Sequence, residues 1–277
     1  MSYQDEVFIK MCTDILETGV STDNHKTRTK WLDGTPAHTI KKFGIVNRYD
    51  LSKEFPALTL RPVPFKNAID EILWIWQKKS NKTSDLNSQI WDLWKDEDGT
   101  IGKAYGYQLG IKYNFGSNRI MDQVDNIIWQ LKNTPNSRRM ITNIFNFADL
   151  KDMGLEPCAY SMSFNVTGNK LNGLLNQRSQ DVLTANAWNV LQYSVLLHIF
   201  AQISDLKIGE FVHVINDVHI YDRHIDIIEK LIKKDVYPAP KFIINKDKKN
   251  FYDFTVDDFV LENYKTGEQI KGFDIAL

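Results

Sequence analysis

The chain has 277 residues, of which 43% are hydrophobic and 25% are charged, and its formal net charge is −1. This is the composition of a globular protein with a sizeable core, and it provides no overall field for nucleic acid or a membrane surface. There is no secretory signal pattern, no apolar run of membrane-spanning length and no cysteine framework for disulfides. We therefore expect one cytoplasmic domain over residues 1–277, without a metal, membrane or nucleic-acid partner.

Hydrophobic periodicity predicts helices over residues 3–18, 64–79, 120–133, 187–204 and 222–234. Alternating patterns predict strands near residues 37–48, 139–146, 159–166, 170–178, 210–218 and 241–244. The fourth helix is apolar on nearly every side, so it should be central and buried, with Asn186 as its cap. Helices and strands do not alternate as regular βαβ units. We therefore predict an α+β fold in which a large mixed β-sheet packs against helices.

The first two helices contain one inert candidate and one chemical candidate. Cys12 lies on the apolar stripe of the first helix, which indicates a core residue. Glu71 lies among Ala68, Trp74 and Ile75 on the second helix, so its carboxylate should lose water. Desolvation raises a carboxyl pKa and favours a general acid or base near neutrality. The alternative is a glutamate at the helix margin, paired with a basic side chain.

Aromatic, basic and histidine side chains supply further candidates. Trp91 and Trp94 are three apart, as on one helical face, and form either a core stripe or a stacking wall for a flat ring. Arg138 and Arg139 follow a turn and open a strand, which suits either an anion site or an ordinary surface. Arg28 is weaker evidence for the same chemistry. Among the six histidines, His213, His219 and His224 lie close in sequence, but they lack the spacing of metal ligands.

A hairpin pattern places a thiol near a cation. The two strands around Gly168 and Asn169 would bring Ala159 opposite Arg178 if pairing is regular, and a bulge could slip this register. Cys158 would then lie beside the Arg178 guanidinium. A neighbouring cation can lower a thiol pKa to roughly 3.5–7.5, as a nucleophilic cysteine requires. The alternative is a buried cysteine without chemistry.

Several short runs stand in the order and spacing of one enzyme family along essentially the whole chain. They are Arg28, Asp70–Trp74, Ile90–Trp94, Ala104–Gly106, Ser137–Arg139, Pro157-Cys158, Gln177–Ser179 with Asp181, Asn189, and Asp217 with His219 and Tyr221. Together these runs resemble the thymidylate synthase family. The resemblance implies a sheet face that forms a homodimer interface. It also implies methylation of dUMP to dTMP, with 5,10-methylenetetrahydrofolate as co-substrate and dihydrofolate as product.

The resemblance also implies a role for each matching position. The catalytic residues would be Cys158, Glu71, Tyr105, Arg178 and Asn189. The residues that bind dUMP would be Arg28, Gln177, Arg178, Ser179, Asp181, Asn189, His219 and Tyr221, with Arg138 and Arg139 from the partner subunit. The residues that bind folate would be Arg61, Trp91, Trp94, Asp181 and Ala276.

A few positions depart from the commoner family pattern. Ala159 follows the cysteine where histidine is frequent, Asn216 replaces a glycine, and Trp188 replaces a phenylalanine. None of these changes removes a catalytic group. Two other functions stay open: a deoxynucleotide hydroxymethylase of the same fold and a catalytically silent relative that binds nucleotide or RNA. Asn189 favours uracil chemistry, because the cytosine-specific relatives carry aspartate there.

Overall fold

The structure is a computed structural model that describes residues 1–277. Its six α-helices are α1 (Tyr3–Thr18), α2 (Phe65–Leu73), α3 (Gly106–Gly110), α4 (Gln123–Asn133), α5 (Ala187–Ile203) and α6 (Ile225–Leu231). Its ten strands are β1 (Val20–Ser21), β2 (Thr39–Asp50), β3 (Tyr113–Asn114), β4 (Ile120–Met121), β5 (Ile141–Asn143), β6 (Ala159–Thr167), β7 (Lys170–Asp181), β8 (Lys207–Tyr221), β9 (Lys241–Ile244) and β10 (Phe259–Glu262). Two π-helical turns, Trp74–Lys78 and Val182–Asn186, extend α2 and precede α5.

Six strands form one sheet in the order β1-β2-β8-β7-β6-β5. Only β7 and β8 run parallel, and α5 connects them, as a parallel pair requires. The other neighbours in this sheet pair antiparallel. The predicted α+β fold with a large mixed sheet is therefore confirmed.

The hydrophobic core is continuous and has α5 at its centre. Its 57 buried residues include side chains of α1, α2, α4, α5 and the inner face of the large sheet, together with residues of the connecting segments such as Leu58 and Ile101, so these elements stabilise one another as a single unit. Gly173 on β7 permits the close approach of α5, because a Cβ there would lie 3.1 Å from the Leu197 side chain. The prediction of a central buried helix is confirmed. No helix of this chain is both long enough and apolar enough to cross a membrane.

Two helices start differently from the sequence prediction, because an aspartate supplies the N-terminal cap at a residue that was not predicted. Asp122 accepts a hydrogen bond from the Asp125 N–H, so α4 begins at Gln123 and not at residue 120. The preceding Ile120–Met121 pairs with β3. Asn186 is not a cap, because its backbone is already helical and its side chain makes no capping hydrogen bond. Asp181 caps the preceding π-helical turn.

The last predicted helix is also shorter than its pattern. It begins as a 3-10 turn, Asp222–His224, and continues as α6 only to Leu231. The C-terminal segment then crosses back to the N-terminal loop. Lys30 and Leu277 exchange two backbone hydrogen bonds, both of 2.8 Å.

Candidate active site

The β6–β7 hairpin has the turn that the sequence predicted. Thr167 pairs with Lys170, which leaves Gly168 and Asn169 as the two turn residues. Gly168 has a φ of +62°, the left-handed conformation that a two-residue hairpin demands at its first turn position. From this end, regular pairing runs as far as Ser161 opposite Asn176.

A bulge then changes the register and brings the arginine directly opposite the cysteine. Between Ala159 and Ser161 the pairing slips by one residue, so Ala159 faces Gln177 and not Arg178. The Arg178 N–H donates to the Cys158 carbonyl at 2.8 Å. The predicted neighbourhood of thiol and arginine is confirmed, with the bulge replacing the regular register.

The Arg178 side chain clamps the segment before the cysteine. Its Nε donates to the Pro157 carbonyl at 3.1 Å and its Nη2 to the Glu156 carbonyl at 2.8 Å. Cys158 is a free, half-buried thiol. Burial raises its pKa above the ordinary value, while Arg178 and the exposed Arg28 act to lower it. The expectation of a depressed thiol pKa is therefore wrong for this structure, because desolvation outweighs the two cations.

Tyr105 supports the cysteine from the opposite side. Its hydroxyl oxygen accepts a hydrogen bond from the Cys158 N–H at 3.2 Å. Its backbone has φ +44° and ψ −105°, a strained conformation. The next residue, Gly106, packs so closely that a Cβ would lie 2.3 Å from the Ser80 carbonyl oxygen, so packing keeps the chain in this conformation. Burial raises the pKa of Tyr105 well above its ordinary value, and the phenol stays protonated.

Glu71 is a desolvated carboxylate that is complemented by three N–H donors. Its side chain is 7% exposed, as predicted. Trp91 Nε1 donates at 2.7 Å, Gln192 Nε2 at 2.6 Å, and Trp188 Nε1 donates to the same oxygen as Gln192. Burial raises the pKa of Glu71, against the opposing effect of these hydrogen bonds. The alternative of a pairing with arginine or lysine is wrong.

The two tryptophans that were placed on a helix lie in a turn. The Asp92 N–H donates to the Gln89 carbonyl at 3.1 Å and the Trp94 N–H donates to the Trp91 carbonyl at 3.0 Å, and no helix forms between residues 89 and 94. Their rings still meet edge to face, with centroids 5.7 Å apart, and the Trp91 ring lies 5.0 Å from the Tyr105 ring. Trp91 is thus a wall of the Glu71 pocket, while Trp94 is only half-buried.

Behind the cysteine, Asn189 is held between two glutamines. Its Oδ1 accepts from Gln177 Nε2 at 3.1 Å, and its Nδ2 donates to Gln192 Oε1 at 3.3 Å. Gln177 also donates to the Ser179 carbonyl at 3.0 Å, and its Oε1 accepts from His213 at 2.7 Å. Gln180 Nε2 donates to the same Oε1, so every hydrogen-bond donor and acceptor of the Gln177 amide has a partner, and the residue is only 2% exposed. Gln177 therefore supports Asn189 and has no capacity left for a direct bond to dUMP.

The end of β8 presents a histidine and a tyrosine together. His219 Nδ1 donates to Asp217 Oδ1 at 2.9 Å, which leaves its Nε2 as an acceptor, and Lys41 bonds the other Asp217 oxygen at 2.7 Å. Burial would raise the pKa of Asp217, but these two hydrogen bonds hold it below its ordinary value. The His219 and Tyr221 rings are 5.0 Å apart. Burial raises the pKa of Tyr221 to about 12, so its hydroxyl is a donor.

The basic candidates divide into those that reach the thiol and those that do not. Arg28 is close enough for its charge to lower the Cys158 pKa, and Ser179 follows Arg178 on β7. Arg138 and Arg139 are exposed just before the edge strand β5. Their guanidinium groups make no hydrogen bond or ion pair within the chain.

The folate candidates occupy mixed positions. Arg61 is 8% exposed and its Nη2 donates to the Leu183 carbonyl at 2.5 Å, so it points inward. Asp181 accepts from the Leu183 N–H and the Thr184 hydroxyl, which makes it a cap. Ala276 is half-buried in the C-terminal segment. No group of three or more His, Cys, Asp or Glu side chains is arranged to hold a metal ion.

Comparison with known proteins agrees with this geometry. The family model described as thymidylate synthase matches residues 6–276. The chain is 46% identical to a thymidylate synthase of Bacillus licheniformis and 44% identical to thymidylate synthase 1 of Bacillus subtilis strain 168, each over 281 residues and 100% of both chains. A solved structure, thermostable thymidylate synthase A from Bacillus subtilis, superposes with a TM-score of 0.94, 44% identity and 99% of each chain covered.

The chain therefore belongs to the thymidylate synthase family. It is an enzyme of the methyltransferase class, with thymidylate synthase as its function. The co-substrate used in this family is methylenetetrahydrofolate.

Sequence reasoning missed the partners behind the site. Gln192 and Trp188 both donate to Glu71, and His213 orients Gln177. Trp188 and Gln192 are four apart on α5, so the sequence does show that they share a helix face, but it does not show that this face meets Glu71.

Proposed function

We propose that the chain converts dUMP to dTMP through a covalent adduct between Cys158 and the pyrimidine. In this reaction 5,10-methylenetetrahydrofolate supplies a one-carbon unit and a hydride, and dihydrofolate is released. The observation that carries the proposal is the thiol of Cys158 beside Arg178, with the buried carboxylate of Glu71 and the oriented amide of Asn189 behind it.

Cys158 begins and ends the reaction. Its thiolate sulfur bonds carbon 6 of the uracil, and the ring electrons shift so that carbon 5 becomes an enolate nucleophile. Carbon 5 then bonds the methylene carbon of the co-substrate. After the carbon 5 proton is removed, tetrahydrofolate departs and returns a hydride to the exocyclic methylene. The carbon–sulfur bond breaks as dTMP forms, which restores the thiolate.

Two buried groups suit the proton transfers. Glu71 has a raised pKa, which makes it a stronger base than an exposed carboxylate, and it can order water toward the pyrimidine. Tyr105 holds the Cys158 N–H through its hydroxyl oxygen and lies against the Trp91 ring. We assign removal of the carbon 5 proton to water ordered by Glu71, which can accept the proton, and the Tyr105 hydroxyl, which stays protonated, would take part as a hydrogen-bonding relay.

The remaining polar groups would bind the nucleotide by its parts. Arg28, Arg178 and Ser179 would hold the phosphate, since guanidinium forks suit phosphate oxygens. His219 Nε2 is free to accept from the ribose hydroxyl, to which the protonated Tyr221 can donate. Asn189 would read the uracil edge, and Gln177 would support it from behind.

Folate would bind on the side of the half-buried Trp94, between the Trp91 wall and the C-terminal segment. Asp181 keeps one lone pair of Oδ2 for the pterin beyond its capping bonds. Arg61 would act indirectly, because its guanidinium holds the Leu183 carbonyl next to this aspartate. Ala276 lies in the segment that would close over the pterin and exclude water.

We further propose that the chain, one domain over residues 1–277, works as a cytoplasmic homodimer. The outer face of the sheet supports this, because it carries an apolar patch made of the cross-strand pairs Val46–Val214 and Leu174–Val212, with Ile141 at its far end beyond Ser163. Val46 and Ile141 are more than half exposed, at 53% and 52%. Arg138 and Arg139 adjoin this patch without internal partners, so each subunit would lend them to its neighbour's phosphate site. The two free cysteines fit a reducing compartment.

A deoxynucleotide hydroxymethylase would share the thiolate addition and then use water in place of hydride. A silent nucleotide- or RNA-binding relative would need no thiol. The discriminating assay follows tritium release from carbon 5 of labelled dUMP together with the absorbance rise of dihydrofolate. We expect both signals. Release without dihydrofolate would indicate the hydroxymethylase, and absence of release would refute an enzyme acting on dUMP.

Cys158→Ala provides the residue-level test of the covalent step. We expect the variant to lose turnover by at least about 10⁴-fold, since no other group can form the adduct. Binding of dUMP should persist, as measured by calorimetry. Cys12→Ala is the matched control and should retain turnover. Retained turnover in Cys158→Ala would contradict its role as nucleophile.

A further inference from the structure

A chain of polar side chains crosses the interface between α5 and the sheet. It runs from Glu71 through Gln192, Asn189 and Gln177 to His213, with successive donor–acceptor distances of 2.6, 3.3, 3.1 and 2.7 Å. Gln192, Gln177 and His213 are at most 2% exposed. Three of these five residues therefore lack direct access to substrate: Gln192 and Gln177 bond Asn189 directly, and His213 acts on Asn189 through Gln177.

The direction of both glutamine amides is set by groups that can only accept. Gln192 Nε2 faces the Glu71 carboxylate and, at 3.1 Å, the Ala68 carbonyl. Gln177 Nε2 faces the Ser179 carbonyl at 3.0 Å. Neither glutamine can turn its amide over without placing oxygen against oxygen. Gln192 must therefore offer Oε1 to Asn189, and Gln177 must offer Nε2.

This arrangement leaves Asn189 only one orientation. Its Nδ2 must face Gln192 and its Oδ1 must face Gln177. One hydrogen on Nδ2 and one lone pair on Oδ1 remain for a ligand. That pair complements uracil, whose oxygen 4 accepts and whose ring nitrogen 3 donates. Cytosine presents the reverse pattern, an exocyclic amine that donates and a ring nitrogen that accepts.

We propose that Gln192 is a positioning residue that determines the preference for uracil over cytosine. It does so by preventing the Asn189 amide from turning over. A turned amide would match cytosine, but it would oppose oxygen to oxygen at Gln192 and amine to amine at Gln177, with loss of two buried hydrogen bonds. The inference rests on the proposed function, in which Asn189 reads the pyrimidine.

Gln192→Met tests this assignment, because methionine keeps nearly the same length and volume but cannot accept from Asn189. Calorimetry without folate measures the dissociation constants of dUMP and dCMP. The dissociation constant of dCMP divided by that of dUMP is the preference for uracil. We expect Gln192→Met to lower that ratio by about tenfold, the equivalent of one buried hydrogen bond. If Gln192 had a merely structural role, its replacement would weaken the binding of both nucleotides equally and leave the ratio unchanged.

Two further variants sharpen the outcome. Gln202→Met is the matched control: it removes a glutamine of the same helix whose amide bonds the Asn245 and Lys248 carbonyls, away from the site. Gln192→Glu should keep the wild-type ratio, because a carboxyl sharing a proton with Glu71 can donate to it and still accept from Asn189. Gln192→Leu is carried in parallel in case the methionine variant does not fold.

The outcomes of these measurements distinguish a failure of the role of Gln192 from a failure of the proposed function. An unchanged ratio in folded Gln192→Met or Gln192→Leu would overturn the role of Gln192. An equal fall in Gln202→Met would overturn it as well, since the effect would then be general to the helix. Failure of the wild-type protein to bind dUMP would instead overturn the proposed function.

Discussion

Cys12 and Cys158 carry the same thiol in two regions that affect it in different ways. Cys12 lies on α1 in the core and is fully buried, and desolvation alone raises its pKa far above the ordinary value. Cys158 precedes β6 and is half-buried. Burial raises its pKa too, but Arg178 and Arg28 act against it. The two regions thus share desolvation and differ in whether any cation is in reach.

The backbone explains why only one region can bring a cation to its thiol. A helix position in a core is surrounded by side chains chosen for packing, and Cys12 meets Met11, Phe8 and Ile15 of its own apolar stripe. The bulge at the start of β6 instead turns the Arg178 guanidinium toward the carbonyls that precede Cys158. Burial raises the pKa of both thiols, so the difference in reactivity that we expect comes from the opposing cations and the partial exposure that Cys158 has and Cys12 lacks.

The largest difference we predict is in alkylation by iodoacetamide. In the folded protein Cys158 should react at least about 10³-fold faster than Cys12, because Cys12 becomes accessible only when the core opens. Peptide mass spectrometry after timed labelling measures both rates in one sample. The unfolded chain in urea is the control, where the two rates should converge. Similar rates in the folded protein would show that the two regions do not differ as described.

Arg178→Met should remove most of what distinguishes the Cys158 region. A cation favours the thiolate, so its loss raises the thiol pKa, and below that pKa the thiolate fraction falls tenfold for each unit. We expect the alkylation rate of Cys158 at neutral pH to fall by about tenfold, with the pH–rate midpoint moving upward. Arg178→Lys keeps the charge but cannot bond both the Glu156 and the Pro157 carbonyl. Its Cys158 alkylation rate should therefore lie between those of the wild type and Arg178→Met. An unmoved midpoint would rule out electrostatic control by Arg178.

Cys12→Ala tests the other side of the comparison through stability. Removal of a buried sulfur should cost about 1 kcal/mol of unfolding free energy at neutral pH. Because the folded pKa of Cys12 lies above its unfolded value, its contribution is fully present below about pH 8.5 and is lost as pH rises, by about 1.4 kcal/mol per pH unit. We expect urea unfolding at pH 7 and pH 10 to show that the difference in unfolding free energy between the wild type and Cys12→Ala closes or reverses at the higher pH. Cys12→Val, which also lacks the thiol, should behave likewise at high pH. A difference in unfolding free energy that does not change with pH would contradict a raised pKa for the buried Cys12 thiol.

The parts of the fold that depend on local pattern were predictable. The bounds of α1 follow from its apolar stripe and from Ser2, which caps it. The β6–β7 turn follows from the glycine that its conformation requires. A bulge in this hairpin was foreseen as possible, but its position beside Cys158 was not predictable, because it depends on how two strands twist against their neighbours and leaves no signal in residue type.

The candidate site divides in the same way. The burial of Glu71 followed from its apolar neighbours on one helix. Its partner Gln192 lies 121 residues further on, and nothing in either local pattern predicts that the two side chains meet. The thiol pKa was predicted in the wrong direction, because the sequence shows which charges come near but not how much water burial removes.

The smallest effect concerns Glu156, which acts on Cys158 in the opposite direction to Arg178. Its charge raises the thiol pKa, and it is exposed, so screening should weaken it. Glu156→Gln keeps the backbone carbonyl that Arg178 Nη2 holds and removes only the charge. We expect Cys158 alkylation to become about twofold faster at low salt and unchanged near 1 M salt, where the screening length is about 3 Å. Glu17→Gln, an exposed change near Cys12, is the control and should leave the rate of Cys158 unaltered. A slower reaction in Glu156→Gln would mean that this residue acts on the thiol through the loop geometry and not through its charge.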